Sequence, residues 1–206
     1  MKFIPVFLIL LIIVACKDQP AHPANEPETI GVDSSKLAAD TGGTFLPIQD
    51  LIREDIRHVD SFAGGILRKS TINGKMDSAF IKPKAFHQAA AAFLIPELEA
   101  DTFRHSFTES SFMDESVDQI QFIYTPKNAA QSLRNVVAYI TRTPNGDQIS
   151  RFYYERSYRA GDTAIDQKFT WKTHQYCYII TVKQPATGPA ITLVDKYIWD
   201  PEQFGQ

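Results

Sequence analysis

The sequence contains few of the residues on which catalytic, metal and disulfide sites are usually built. It has two cysteines and five histidines among 206 residues. No HExxH, paired CxxC, P-loop or GxGxxG pattern occurs, so the zinc-protease, zinc-ribbon, nucleotide-hydrolysing and dinucleotide-binding classes lose their sequence support. No Gly-x-Ser-x-Gly turn occurs either, which removes the usual signal of a serine hydrolase. We therefore expect no metal ion, no cofactor and no catalytic residue that a motif would identify.

The charge distribution also lacks the signature of a nucleic-acid partner. Lys and Arg number 21 against 24 Asp and Glu, and the net charge is −3. The basic residues are spread along the chain and do not cluster beyond pairs. Nucleic-acid binding requires a concentrated basic patch, so we expect no nucleic-acid partner.

The first residues have the form of a lipoprotein signal peptide. Met1 and Lys2 give a positive start, and an apolar run interrupted only by Pro5 follows from Phe3 to Ala15. A membrane-spanning helix needs roughly 20 apolar residues, so this shorter run fits a signal-peptide core. The run ends in Ile13-Val14-Ala15-Cys16, which resembles a bacterial lipobox.

This resemblance implies that residues 1–15 are removed and that Cys16 is acylated. Each buried methylene contributes about 0.8 kcal/mol, and several acyl chains together hold a protein at a membrane. Lys17 follows the cysteine where an Asp would favour inner-membrane retention, so we expect an outer-membrane anchor in the cell envelope. Lys17-Asp18-Gln19 partly resembles the Lys-acidic-acidic surface-export signal of Bacteroidetes lipoproteins. Gln19 departs from that pattern, so the periplasmic and surface sides both stay open.

Residues 16–44 are predicted to form the lipidated cysteine and a flexible tether. The segment lacks apolar periodicity and contains Pro20, Pro23 and Pro27, a composition typical of unfolded linkers. A coil of roughly 27 residues spans on the order of 30 Å, which would hold a folded body clear of the lipid headgroups. We expect a single folded domain at residues 45–206.

The folded part is predicted to be an α+β domain, with two to three N-terminal helices packed on a curved antiparallel β-meander of six to eight strands. One helix is predicted from Pro47, one from Pro83 and a short one roughly over Glu97–His105. Asn73-Gly74 between two strand-like runs predicts a hairpin. The connections between the later strands are too short for anything but antiparallel neighbours. These strands are predicted over Val117–Tyr124, Leu133–Arg142, Ile149–Tyr158, Ile165–Lys172, Tyr176–Lys183 and Ile191–Trp199.

Three of the later segments differ in pattern. Apolar and polar residues alternate in Ile165–Lys172, which predicts one dry and one wet face. Tyr176–Val182 is apolar on both faces, which predicts a central strand whose second side is covered by the helices. Cys177 in that run is predicted to be a buried small hydrophobe, and an acylated Cys16 would leave it without a disulfide partner. The polar segment Thr108–Ser116 is predicted to be a connector of Asx and Ser turns.

Asp55 is a polar residue that the pattern places in the core. At about 100° per residue it falls inside the apolar stripe of the first helix. That stripe consists of Ile48, Leu51, Ile52, Ile56, Val59 and Phe62. A buried carboxylate needs hydrogen-bond donors, and both a structural tie between helix and sheet and a functional carboxylate stay open. His105, Glu109 and Asp114 are further candidates, which would form a site only if they converged with Asp55 in one cleft.

The body from residue 45 to about 200 resembles uncharacterised single-domain envelope lipoproteins of Bacteroidetes. The segments that carry the resemblance are Phe45–Ile48, Val59–Ser61, Phe107–Phe112, Trp171-Lys172 and Tyr197–Asp200. The function of that family is itself unassigned. The resemblance therefore implies an address in the envelope and no activity.

Three functions are compatible with the sequence. An anchor, a tether and the lack of a catalytic motif favour a non-enzymatic binding or interaction module for an envelope protein or another envelope component. The alternative is a carrier or sensor of an apolar ligand, held in a cavity between sheet and helices, by analogy of fold. A hydrolase built from scattered polar residues is the third hypothesis.

Overall fold

A computed structural model describes residues 45–60, 65–144 and 146–205 of the chain. The predicted signal peptide, Cys16, the tether and Phe62 lie outside these residues. The helices are α1 (Ile48–Val59), α2 (Pro83–Ala90) and α3 (Ala100–Ser106), with short 3-10 turns at Ala91–Phe93, Pro96–Leu98 and Pro201–Gln203. The strands are β1 (Ile66–Ile72), β2 (Lys75–Ile81), β3 (Phe107–Asp114), β4 (Gln119–Pro126), β5 (Leu133–Thr143), β6 (Gly146–Ala160), β7 (Thr163–Lys172), β8 (Tyr176–Gln184) and β9 (Ile191–Ile198).

These strands form one antiparallel sheet in the order β2-β1-β9-β8-β7-β6-β5-β4-β3. Strands β3 to β9 follow one another as a meander, and the β1–β2 hairpin is added beside β9. Asn73 and Gly74 both have positive φ, 48° and 84°, as the tight hairpin turn requires. The Asn73 side-chain oxygen also accepts the Thr192 backbone N–H at 2.9 Å. The hairpin tip is thereby attached to the beginning of β9.

The α+β class, the antiparallel meander and the Asn73-Gly74 hairpin are confirmed, with two corrections to the finer prediction. Helix α1 precedes the sheet, but α2 and α3 lie between β2 and β3, so the helices are not all N-terminal. The sheet has nine strands rather than six to eight. The extra strand is β3, which pairs with β4 along the segment predicted to be a connector of turns. An edge strand with one open side tolerates Ser, Thr and Glu, so its composition does not resemble that of a core strand.

Aromatic rings fill the space between the helices and one side of the sheet, which is called the inner face below. Phe86 of α2 lies 6.4 Å from Trp171 and 5.4 Å from Trp199, measured between ring centroids. Phe93 lies 5.6 Å from Phe169 and 5.0 Å from Trp171. Burial of each such side chain contributes roughly 1.5–3 kcal/mol. The same rings therefore hold α2 and the turn after it against β7.

A second ring cluster packs α3 and the entry to α1 against β3 and β4. The ring of Phe103 lies 4.8 Å from both Phe107 and Tyr124, and Phe45 lies 5.4 Å from Tyr124. The Tyr124 hydroxyl accepts the Leu46 backbone N–H at 3.2 Å. This cluster fixes where the domain begins relative to the sheet.

The opposite side of the sheet, called the outer face, carries the residues that alternate with the core rings. Because successive side chains of a strand point to opposite faces, Tyr178 points to the outer face and its buried neighbour Cys177 to the inner face. Cys177 is buried, as predicted. The prediction that helices cover the second side of Tyr176–Val182 is wrong for the described residues, because the helix contacts given above lie on the inner face and Tyr178 is half-buried on the outer one. No described helix is long and apolar enough to cross a membrane.

We expect Phe86→Ala to lower the free energy of unfolding by about 3–5 kcal/mol, because the ring is fully buried and its removal leaves a cavity. Urea unfolding followed by circular dichroism measures the change. Phe112→Ala on β3 is the matched control, since Phe112 is 56% exposed and its loss should cost no more than about 0.5 kcal/mol. Equal losses in the two variants would contradict the assignment of the core.

Candidate functional site

The Asp55 carboxylate is buried where α1 meets the turn between β7 and β8. It is 1% exposed and accepts the indole N–H of Trp171 at 2.6 Å and the backbone N–H of His174 at 3.1 Å. The Nδ1 atom of His174 lies 2.8 Å from Asp55 Oδ1, at an angle poor for a hydrogen bond, so the contact is an ion pair when the ring is protonated. The backbone of His174 has φ 62°, an uncommon conformation for a residue with a side chain. Asp55 thus ties α1 to the β7–β8 turn.

The carboxylate also determines the charge properties of its neighbours. Polar contact with Asp55 raises the pKa of His174 above its ordinary value of 6.5, and desolvation opposes this shift. The ring of His58 lies 4.8 Å from that of His174 in an edge-to-face arrangement. Burial raises the pKa of the Cys177 thiol, and the charge of Asp55 adds to the effect. Cys177 is therefore held as an unreactive thiol, since the thiolate is the nucleophile.

A carboxylate that orients a half-exposed imidazole is one part of a hydrolytic site. The described ring contacts of His174 are with Asp55 and His58, neither of which is the hydroxyl or thiol nucleophile that such a site requires. No group of three or more His, Cys, Asp or Glu residues is arranged to hold a metal ion in the described part of the chain. The geometry supports a charge-dependent tie between helix and turn.

The other candidate residues lie apart from Asp55. His105 is exposed on α3, and its Nδ1 is 2.7 Å from a backbone carbonyl of the same helix. Glu109 and Asp114 both lie on β3, at different positions along the strand. Strand β3 is four places from β7 in the sheet, a separation of roughly 19 Å at the usual strand spacing. The convergence that the hydrolase hypothesis requires is not present.

The carrier hypothesis requires a cavity between the helices and the sheet. That space is occupied by the two ring clusters, in which the neighbouring centroids given above are 4.8 to 6.4 Å apart. Two depressions on the described surface lie elsewhere, one beside the β1–β2 hairpin and one on the outer face. The described contacts in the helix–sheet interface are between protein side chains, and they do not favour an apolar ligand there.

The depression beside the hairpin is wide, with a volume of about 570 Å³. Its charged wall is a compact network, in which Arg68 lies 2.8 Å from Asp195 and the Ser70 hydroxyl donates to the same carboxylate at 2.8 Å. Ile72 and Met76 add exposed apolar surface at the rim. Because the polar groups already satisfy one another, this network is sufficiently explained as a link between β1 and β9.

The depression on the outer face is smaller, about 230 Å³, and is built differently. It is called the tyrosine depression below. Its lining residues are Tyr139, Arg151, Tyr153, Thr170 and Tyr178. Thr170 lies on the predicted wet face of β7 but is only 4% exposed. The neighbouring side chains therefore form walls around a floor rather than a flat surface.

Two rows of directly paired residues cross the strands at this place. The first row runs Tyr139–Arg151–Lys172–Tyr176 and the second Tyr153–Thr170–Tyr178–Lys196. Neighbours within a row are one strand spacing apart, roughly 4.8 Å. Four phenol rings and three cations consequently lie within or directly beside the tyrosine depression.

Cations in these rows lie over aromatic rings. The guanidinium carbon of Arg151 is 3.9 Å from the centroid of Tyr139, and Lys196 Nζ is 4.6 Å from that of Tyr176. Cation–π contacts of this kind contribute on the order of 0.5–1 kcal/mol at exposed sites. They also limit the conformations available to Arg151 before any ligand arrives.

Burial and charge together perturb the groups around the tyrosine depression. Desolvation lowers the pKa of Lys172, and repulsion from Arg151 adds to the shift. Desolvation also raises the pKa of Tyr153, whose hydroxyl donates to the Glu155 carboxylate. Glu155 in turn lies 3.8 Å from Lys168. The depression therefore has a cationic side at Arg151 and Lys172 and a polar, charge-balanced side at Tyr153.

The residues of the tyrosine depression were not predicted from the sequence. The signal that could have found them is the presence of aromatic residues at both odd and even positions of a strand, so that aromatic side chains point to both faces of the sheet. Phe152-Tyr153-Tyr154 shows this pattern, and Tyr176-Cys177-Tyr178 places aromatic residues on either side of a core position. The residues at alternate positions form the inner-face core, and the aromatic residues between them form an aromatic outer face. The apolar pattern of Tyr176–Val182 predicts burial beneath helices, whereas Tyr178 lines the depression on the outer face.

The stability of the protein should depend on pH through His174. Because the folded state raises its pKa, the stabilisation is complete below the unfolded value of 6.5 and is lost as pH rises through the folded value. We expect the free energy of unfolding to fall as the pH rises above about 6.5 and through the raised pKa of the folded state. His174→Gln should remove this component. Urea titrations at several pH values measure it.

His105→Gln is the matched control for this measurement, because it removes an imidazole that has no contact with Asp55. It should leave the pH dependence as in the wild type. A His174→Gln variant that retained the full pH dependence would contradict the role of the ion pair.

Comparison with protein-family models, with curated proteins and with solved structures gives no significant match to this chain.

Proposed function

We propose that this chain is a lipid-anchored protein of the cell envelope, held at the outer membrane by an acylated Cys16. Its folded domain acts as a non-enzymatic binding module that recognises an envelope component. The observation that carries the proposal is the tyrosine depression, an open site with a buried floor at Thr170 and walls of Tyr and Arg.

The composition of the tyrosine depression supports recognition. Tyr and Arg are enriched at the residues that dominate binding energy, because a rigid aromatic ring or guanidinium covers much area for little lost entropy. Arg151 is already positioned over Tyr139, so less conformational freedom remains to be lost when a partner binds. These properties suit a surface that binds a partner.

In the described part of the chain, the acid–base pair lies away from the tyrosine depression, which supports binding over catalysis. Asp55 and His174, the acid–base pair described above, contact the inner-face residue Trp171 and its turn. Thr170 is the next residue of the strand and faces the other side of the sheet. A ligand in the depression would therefore be separated from the imidazole by the sheet itself.

The N-terminal sequence supports the address of this module. The lipobox-like Ile13–Cys16 and the proline-containing residues 17–44 support an anchored domain on a tether. A coil of that length would reach on the order of 30 Å from the membrane. A binding module at that distance samples components of the membrane surface and of the adjacent envelope layer. Either side of the outer membrane is compatible with this reach.

Metabolic labelling with an alkyne analogue of palmitate tests the anchor. We expect the wild type to take up the label and Cys16→Ser to lose it, because the thiol carries the lipid. Cys177→Ser is the matched control and should keep the label, since Cys177 is buried in the core. Label retained by the Cys16→Ser protein would contradict the anchor.

Chemical crosslinking in intact cells tests the binding surface. We expect the wild type to form a defined adduct with an envelope component and Arg151→Gln to lose it. Lys183→Gln is the matched control, because it removes the same charge from an exposed residue of β8 that faces the opposite side of the sheet. Recovery of the protein alone, or equal adducts in both variants, would contradict the proposed surface.

A further inference from the structure

The charge around the tyrosine depression differs from that of the whole chain. The chain carries a net charge of −3, yet Arg151 lines the depression, and Lys172 and Lys196 lie beside it in the same two rows. No carboxylate of the described residues lies within ion-pair distance of these three groups. A cationic site without a protein counter-charge is complementary to an anionic ligand.

The position of Arg151 suits a carboxylate in particular. A guanidinium presents a planar fork of N–H donors that matches the two oxygens of a carboxylate. The contact of its guanidinium carbon with the Tyr139 ring, 3.9 Å from the centroid, limits the conformations of Arg151. Lys172 beside it adds a second positive charge. Desolvation and repulsion from Arg151 lower the pKa of Lys172, and a bound anion would relieve the repulsion.

The remaining lining of the depression is rich in hydroxyl groups. Tyr139, Tyr153, Thr170 and Tyr178 each contribute one. The volume of about 230 Å³ equals roughly eight waters at about 30 Å³ each. That space suits one polar ring better than an acyl chain, whose methylenes would meet hydroxyl groups.

The side opposite Arg151 offers a different chemistry. The Tyr153 hydroxyl donates to Glu155, whose charge is balanced further by Lys168 at 3.8 Å. A hydroxyl and a carboxylate in contact provide both a donor and an acceptor for sugar hydroxyl groups. The tyrosine faces offer apolar surface for the C–H face of a sugar ring.

We infer that the tyrosine depression binds the carboxylate-bearing sugar ring of an acidic polysaccharide, with the carboxylate at Arg151 and Lys172 and the ring hydroxyls toward Tyr153. This inference rests on the proposed function and names the class of ligand. Lys196, at the end of the second row, lies where the next residues of a polysaccharide could continue across the outer face. An acidic peptide would satisfy the cations but would leave the hydroxyl-lined floor at Thr170 without a matching ring.

Calorimetric titration of the full-length lipidated protein in micelles of an uncharged detergent tests the inference. The probes are an oligogalacturonate, a neutral galacto-oligosaccharide of the same length and an oligoglutamate. We expect the oligogalacturonate to bind more tightly than either of the other two, and added salt to weaken it. Absence of binding, or equal binding of the oligoglutamate, would overturn the inference.

Substitutions locate the binding. We expect Arg151→Gln to weaken oligogalacturonate binding at least about tenfold, because a charge-assisted pair is lost. Tyr178→Ala should weaken it similarly, whereas Tyr178→Phe, which keeps the ring, should weaken it less. Lys183→Gln on the inner face should bind as the wild type does. Equal affinities of Arg151→Gln and Lys183→Gln, with both proteins folded by circular dichroism, would place the ligand elsewhere and overturn the inference.

The two levels of the proposal fail in different ways. If the crosslinked envelope adduct depends on Arg151 but no oligogalacturonate binds, the ligand class is wrong and the binding surface stands. If Arg151 affects neither measurement, the surface and the ligand class are both wrong.

Discussion

The alternation of side chains along a strand is the constraint on which the rest of the structure depends. Strands β6, β7 and β8 contribute residues both to the inner-face core and to the outer-face site. Trp171 and Phe169 have to face the helices because their rings pack on Phe93. Thr170 between them then has to face outward. A slip of one residue would turn Thr170 toward the helices and both rings toward the outer face, so the inner-face core fixes the register of the outer-face site.

The buried carboxylate of Asp55 extends this constraint to the end of the strands. It binds donors from Trp171 and from the backbone of His174, and the turn that it holds connects Lys172 to Tyr176. These two residues belong to one row of the outer face. Breaking the hydrogen bonds of a buried charge is costly. Contacts on the inner face therefore stabilise the geometry of the outer face. The polar tie and the aromatic core are therefore both structural foundations of the tyrosine depression.

The sequence predicted most of this fold because most of its strands have a core face. The six later strands begin and end within three residues of their predicted bounds, and the Asn73-Gly74 turn is where it was expected. Strand β3 was missed because pairing at an edge requires only backbone groups, and its residues from Thr108 to Ser111 are polar. Helices α2 and α3 lie between strands because β3 begins directly after α3. Local pattern determines an element, whereas its neighbours in space depend on pairings that pattern does not encode.

The candidate site was less accessible to sequence for a related reason. Asp55 was placed in the core by helical periodicity, but its donors include a turn residue with unusual backbone geometry, His174, which belongs to no motif. The pattern predicts a covered Tyr178 because an apolar residue on a strand is usually buried by another layer. Here the cover is provided within the outer face itself, where rings and cations shield one another in cross-strand rows. Half-burial of that kind keeps aromatic surface and charge accessible at low entropic cost, which is the property that a recognition site requires.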